Sequence, residues 1–208
     1  MVHSPSALAL VFAGAAICSP LSGVIERQQA EDSTPIFVTG INYSGDGCPP
    51  GTLDGKLGTD GTFDVLYKAL NASIHPGQPE VKTECHIEVG LETSADKQLV
   101  IISGTYRGHV NLTEGAWAKN QNQYKFANND GTTNMEWPFK GPVDLSTAFV
   151  NELDTEFQSG CNSTGGKFTL IINNYLTMTT EGSGEGQISI TELDGAVKQS
   201  VKLQSTNC

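Results

Sequence analysis

Apolar and polar residues alternate with a period of two along most of this chain. Phe63, Val65 and Tyr67 alternate with Asp64, Leu66 and Lys68, and Cys85, Ile87, Val89 and Leu91 with His86, Glu88, Gly90 and Glu92. Phe168, Leu170 and Ile172 form another set, followed by the shorter pairs Ile188 and Ile190, then Val201 and Leu203. The segment Leu99 to Leu112 is rich in β-branched and aromatic residues. Successive side chains of a strand point to opposite faces, so this pattern predicts half-buried strands. Turn formers separate the runs at Asp60-Gly61, Pro76-Gly77, Asn129-Asp130-Gly131, Gly165-Gly166, Gly182-Ser183-Gly184 and Asp194-Gly195, and the last of these predicts a hairpin. One piece, Leu145 to Phe157, reads as a short helix. Many short strands with regular punctuation predict an all-β protein, an antiparallel β-sandwich of jelly-roll or immunoglobulin-like type.

The beginning of the chain is set apart from this pattern. The first 25 residues contain no Asp, Glu, Lys or Arg, and Ala7 to Ile17 is an unbroken run of small and apolar residues. A buried helix of a folded domain would show a polar stripe, and this run has none. Its length suits a signal-peptide core and falls short of the roughly 20 residues that span a bilayer. Ala13, Ala15, Ala16 and Cys18 supply the small residues that cleavage requires. Residues 1–19 are therefore read as a signal peptide, residues 20–35 as a polar linker or pro-segment, and residues 36–208 as a single sandwich domain. No other long apolar run follows. A secreted, extracellular and unanchored product is expected.

Charge narrows the partners. The formal net charge is −11, with 38% hydrophobic and only 17% charged residues, and Thr, Ser, Asn and Gly carry the polar share, as on a β-rich extracellular surface. Nucleic acids and anionic membranes both select a basic face, so neither is expected as a partner. Four N-glycosylation sequons begin at Asn42, Asn71, Asn111 and Asn162. Glycans there would require those asparagines to lie at the surface.

Cysteine usage agrees with an oxidising compartment. Of the five cysteines, Cys18 falls in the leader, which leaves Cys48, Cys85, Cys161 and Cys208. Four half-cystines allow three pairings. The preferred pairs are Cys48–Cys85 and Cys161–Cys208, because each joins neighbours along the chain. Each bridge would close a loop of about 40 residues, worth roughly 4 kcal/mol through the unfolded state. Neither C-x-x-C nor a cysteine and histidine at zinc-ligand spacing occurs. Cys48 sits in the turn-rich stretch "GDGCPPG", Gly45 to Gly51, where it would act as a staple at a strand end.

Several stretches together resemble a known family. They are "SGDGCPPGT" (Ser44 to Thr52), "ASIHPG" (Ala72 to Gly77), "ECHIEVGL" (Glu84 to Leu91), "YRGHVNLTEG" (Tyr106 to Gly115), "FKGP" (Phe139 to Pro142) and the pair Cys161 and Cys208. Their order and spacing are similar to those of the secreted family catalogued as domain of unknown function 4360, common in filamentous fungi. The likeness covers roughly Phe37 to Cys208. It implies a small, secreted, disulfide-bonded β-sandwich and carries no established activity or catalytic residue. The chain departs from many relatives at its end, where "STNC" replaces a more aromatic and basic tail.

Motifs of catalysis are scarce. No G-x-S-x-G elbow, H-E-x-x-H, phosphate-binding loop or dinucleotide fingerprint occurs, and no cofactor is expected. "GSGEG" (Gly182 to Gly186) is acidic and reads as a flexible turn. His75, His86 and His109 would make a metal site only if separate strands brought them together; solvated or core histidines are the expected reading. Asp46, Asp54, Asp60 and Asp64 cluster among glycines, but their spacing does not fit an EF-hand and suits ordinary turns. The 23 acidic residues single out no pair for glycoside hydrolysis. Trp117, Tyr124, Phe126, Trp137 and Phe139 fall among many Asn and Gln. Phe126, Trp137 and Phe139 are expected in the core, whereas Trp117 and Tyr124 are the candidate carbohydrate contacts, since aromatic faces beside amides suit sugars.

These features predict a non-catalytic binding or surface-interaction module whose partner is a polysaccharide of a cell wall or a host protein. A secreted hydrolase using carboxylates or a metal is the first alternative. An effector or inhibitor of a foreign protein, which needs a contiguous exposed apolar patch, is the second.

Overall fold

A computed structural model describes residues 34–161, 165–190 and 199–208. The expected leader, most of the linker, the Asn162 sequon and the Asp194-Gly195 turn lie outside the described residues. Within them the regular elements are all strands: β1 (Phe37–Ser44), β2 (Leu53–Leu57), β3 (Thr62–Tyr67), β4 (Asn71–Ile74), β5 (Glu80–Glu92) and β6 (Lys97–Leu112) come first. They are followed by β7 (Ala116–Phe126), β8 (Thr133–Lys140), β9 (Val143–Gln158), β10 (Lys167–Thr180), β11 (Gly186–Ser189) and β12 (Gln199–Asn207).

Two antiparallel sheets result. One has five strands in the order β1-β5-β10-β7-β8; the other has seven, in the order β2-β3-β12-β6-β11-β4, with β9 paired to β6. β9 runs along one edge of the long strand β6, while β12 and β11 follow one another along its other edge. The short helix expected over Leu145 to Phe157 is thus a strand. Its Thr, Phe and Val residues fit a pleated sheet, and β6 offers a full-length partner, so pairing overrides a weak local signal.

The core lies between the sheets. Phe63, Val65 and Tyr67 of β3 and Val201 and Leu203 of β12 face Ile87, Val89 and Leu91 of β5 and Leu170, Ile172 and Leu176 of β10, all buried. The period-two pattern of the sequence is therefore the inward and outward alternation of a sandwich. Phe126 is in this core, with Trp137 and Phe139 packed half-buried against it.

Two disulfides close the structure, Cys48–Cys85 and Cys161–Cys208, with Cα separations of 5.4 and 5.6 Å. The turn that carries Cys48 is shaped by contact with β5. Gly45 has φ of 129°, and a Cβ there would come within 2.3 Å of the Glu84 carbonyl oxygen, so only glycine fits. The Gly47 amide donates to that same oxygen at 2.9 Å, and Asp46 Oδ1 accepts from the Glu84 amide at 2.8 Å. The turn is thereby laid against Glu84, and Cys48 reaches the adjacent Cys85. At the other end, the Cys208 amide donates to Asp96 at 3.0 Å, which with its bridge anchors the end of β12.

Candidate functional site

The outward face of the five-stranded sheet carries an ordered set of polar and aromatic side chains. Strand register builds them into rows. One row runs Ser44, His86, Asn173, Gln123 and Asn134 across β1, β5, β10, β7 and β8. The next comprises Glu84, Tyr175, Gln121 and Glu136, and a parallel row further along places Glu80, Thr179, Trp117 and Lys140 side by side. Their inward neighbours are buried on β7 and buried or half-buried on β1, β5, β8 and β10, which fixes these side chains outward.

Hydrogen bonds hold the first row in place. His86 Nδ1 donates to Asn173 Oδ1 at 2.6 Å, and Asn173 Nδ2 donates to Gln123 Oε1 at 3.2 Å. A carbonyl acceptor requires the proton on Nδ1; the ring's other nitrogen lies 3.4 Å from Glu88 Oε1. The Gln123 amide nitrogen has no partner among the described residues and remains a free donor. Beside this chain, Lys82 Nζ lies 4.5 Å from the centre of the Tyr175 ring, and Lys140 Nζ lies 4.6 Å from that of Trp117. Such exposed pairs are worth about 0.5–1 kcal/mol, so a ligand that stacks on either ring displaces the lysine at small cost.

Charge on this face is balanced. Outward positions of β5, β7, β8 and β10 hold Lys82, Lys119, Lys125, Lys140 and Lys167 against Glu80, Glu84, Glu88, Glu92 and Glu136. The net −11 of the chain is therefore not expressed here.

Of the two candidate carbohydrate contacts, Trp117 belongs to this face and is 39% exposed. Tyr124 does not. It is fully buried, because odd positions of β7 point outward and even ones inward. Its hydroxyl lies 2.5 Å from that of Tyr106 and accepts from Gln199 Nε2 at 3.1 Å. Tyr67 donates to Gln199 Oε1 and accepts from Asn174 Nδ2 at 2.6 Å, while Gln199 Nε2 also donates to Tyr106. Three tyrosines and two amides thus join the sheets through the core. Burial pushes the Tyr124 hydroxyl up to about 12 and those of Tyr67 and Tyr106 well above their ordinary value, so all three stay protonated. On the same inner face, Asn122 Nδ2 donates to Asn120 Oδ1 at 3.1 Å, leaving Asn120 Nδ2 and Asn122 Oδ1 buried without a partner.

The remaining candidates separate. His86 and His109 lie on the outer faces of opposite sheets, and His75 lies in an exposed turn. No group of three or more metal-ligating side chains is assembled among the described residues. The four aspartates do local work. Asp46 binds the Glu84 amide, Asp54 pairs with Lys68 at 3.0 Å, and Asp64 accepts from Ser200 at 2.8 Å. Asp60 accepts from the Thr62 hydroxyl and amide and from Lys202. These bonds, the Thr62 hydroxyl first, lower its carboxyl to about 2. Asn42, Asn71 and Asn111 are exposed.

One constellation had no counterpart in the linear motifs. On the outer face of the seven-stranded sheet, His109 Nδ1 lies 2.8 Å from Ser146 Oγ, and its Nε2 lies 3.5 Å from Asp144. The Asp144 side chain is 70% exposed. Acyl transfer draws its rate from donors preorganised in a water-excluded site, and this contact lies on the outer, solvent-facing side of the sheet. Tyr175, Asn173 and Gln123 were also missed. The signal for them is the odd-numbered register of β7 and β10, legible only once both strands are known to share one face.

The sequence profile of the family described as Domain of unknown function (DUF4360) matches residues 34–208. The chain belongs to the DUF4360 family. A relative named "Uncharacterized secreted protein", from Arthroderma benhamiae, is 26% identical over 185 residues, covering 86% of this chain and 74% of the relative. This DUF4360 protein is likewise secreted, and no helix among its described residues is long and apolar enough to cross a membrane. The solved structure of TmCBM61 in complex with beta-1,4-galactotriose aligns over 82% of this chain and 90% of that one, at 10% identity and a TM-score of 0.26. That likeness is too slight to carry an argument about the ligand.

Proposed function

We propose that this DUF4360 protein is a non-catalytic binding module that holds an extended, uncharged polysaccharide against the outer face of its five-stranded sheet. The observation that carries the reading is the hydrogen-bonded chain His86–Asn173–Gln123 on the same face as the Tyr175 and Trp117 rings. Sugars combine apolar ring faces with rims of hydroxyl groups. Aromatic planes beside fixed amide donors and acceptors complement both. The rows from Trp117 to Gln123 span six residues of one strand, about 20 Å, long enough for several sugar units. Side chains already tied to one another lose little freedom on binding.

Charge supports an uncharged ligand. Five lysines facing five glutamates neither attract nor repel a polyanion strongly. The backbone positions of the acids on this face form no close pair. Glu80, Glu84, Glu88 and Glu92 recur every fourth residue of β5, about 13 Å apart, and Glu84 and Glu136 stand three strands apart, about 14 Å. Glycoside hydrolysis needs carboxyl groups about 5–10 Å apart.

Retention on insoluble chitin, cellulose, β-1,3-glucan, galactan and mannan, followed by calorimetry with oligosaccharides of the retaining polymer, tests the reading. Trp117→Ala and Tyr175→Ala are each expected to weaken binding about tenfold, for a stacking loss of about 1.4 kcal/mol. Unchanged binding in both variants, or no retention on any polymer, would refute it.

A further inference from the structure

We infer that Asn71 and Asn111 carry N-linked glycans that together cover the outer face of the seven-stranded sheet beside its β9 edge. Both asparagines open sequons, Asn71-Ala72-Ser73 and Asn111-Leu112-Thr113, in a secreted chain. The fold brings the two together. β11 pairs with β4 on one side and β6 on the other, which aligns Asn71, Ser189, His109 and Ser146 in one row. Ser73, Gln187, Asn111 and Asp144 make the next. Two strand spacings across and two residues along put the asparagines about 12 Å apart on one surface.

Both side chains are exposed; Asn71 Nδ2 donates to the Ala69 carbonyl at 3.0 Å, and a glycosylated amide keeps one N–H for that bond, while the Asn111 side chain has no hydrogen bond among the described residues. Attachment therefore breaks no interaction of Asn111. Asn111 also neighbours Asp144 of β9, an edge strand. β9 carries Val150, 62% exposed, and Leu145, 39% exposed. An edge strand with exposed apolar side chains is a template for pairing with another chain. A bulky, solvated glycan beside it blocks that approach. The same glycans would overlie the Ser146–His109–Asp144 contact, which fits a buttress rather than a reaction centre. Nothing here depends on what the other face binds.

The test uses the full chain secreted from a eukaryotic host. Enzymatic removal of N-glycans in heavy-oxygen water converts each glycosylated Asn to labelled Asp, read by peptide mass spectrometry. Label is expected at both Asn71 and Asn111; recovery of either as unlabelled Asn overturns the inference. The single variants Ser73→Ala and Asn111→Gln should each lose one glycan's mass and leave the other label intact. Light scattering of the folded protein after glycan removal is expected to rise as β9 edges pair. An unchanged monomer would overturn the shielding role.

Discussion

Replacing Tyr67 by Phe removes one oxygen from the middle of the sandwich and should destabilise the protein far more than its size suggests. The Tyr67 hydroxyl donates to Gln199 Oε1 and accepts from Asn174 Nδ2 at 2.6 Å, and all three residues are fully buried. The Phe ring keeps the rest of the volume, so the space left is that of one hydroxyl, too small for a water that would restore both bonds. Both partners then lose a hydrogen bond in a medium where each unpaired polar group costs about 1–3 kcal/mol. The expected destabilisation is about 2–5 kcal/mol. For a domain of this size a loss of 1 kcal/mol lowers Tm by about 2–4 °C, so the drop should be on the order of 5–15 °C. Differential scanning calorimetry of the oxidised protein measures it, with Tyr175→Phe on the outer face as the control. A Tyr67→Phe variant within 1 kcal/mol of the parent would refute the description of this network as mutually dependent, since Asn174 and Gln199 would have found other partners.

Other outcomes follow from the same geometry. The three core tyrosines have hydroxyls raised above the unfolded value near 10, so they add stability that is complete below pH 10 and lost as pH rises through about 12, where Tyr124 ionises. The chain has five tyrosines, so alkaline titration followed by circular dichroism should show unfolding coincide with the tyrosinate absorbance of the three core residues, and more than two tyrosinates formed in a still-folded protein would contradict this. The Cys48→Ala/Cys85→Ala pair, whose bridge links residues 37 apart in sequence, is expected to lose about 2–4 kcal/mol in urea denaturation; a loss below 1 kcal/mol would mean that the turn at Gly45 holds itself. Asn120 Nδ2 and Asn122 Oδ1 are a donor and an acceptor without partners in the interior. A high-resolution crystal structure is expected to show an ordered water bridging them, and a dry, empty site would show that the pair is left unsatisfied.

How much of this was legible depends on which face of each strand meets the core. β3, β5 and β10 were readable because Phe63, Val65 and Tyr67, or Cys85 to Leu91, alternate with polar residues, and burial of a single face leaves that trace in sequence. β9 was not, since Leu145 to Phe157 mixes helix and strand formers and its conformation is set by β6, which lies more than 30 residues earlier. Tyr124 was misjudged for a related reason. Its neighbours Gln123 and Lys125 are polar because they occupy the opposite face, and polarity of sequence neighbours says little about a strand residue's own side. The candidate site was hidden still further. His86, Asn173 and Gln123 are spread over three strands, and the order β5-β10-β7 that makes them neighbours is a non-local property. The buried Tyr67–Gln199 contact, between residues 132 apart, is of the same kind.

The proposed binding face is tested most directly by amide and side-chain NMR of the labelled protein titrated with an oligosaccharide of whichever polymer retains it. Binding at the five-stranded sheet predicts shift changes that converge on Trp117, Gln121, Gln123, Asn173, Tyr175 and His86, with the His109 and Ser146 signals unmoved. Shifts that cluster instead around His109, Ser146 and Asp144, or that appear nowhere at saturating sugar, would contradict it.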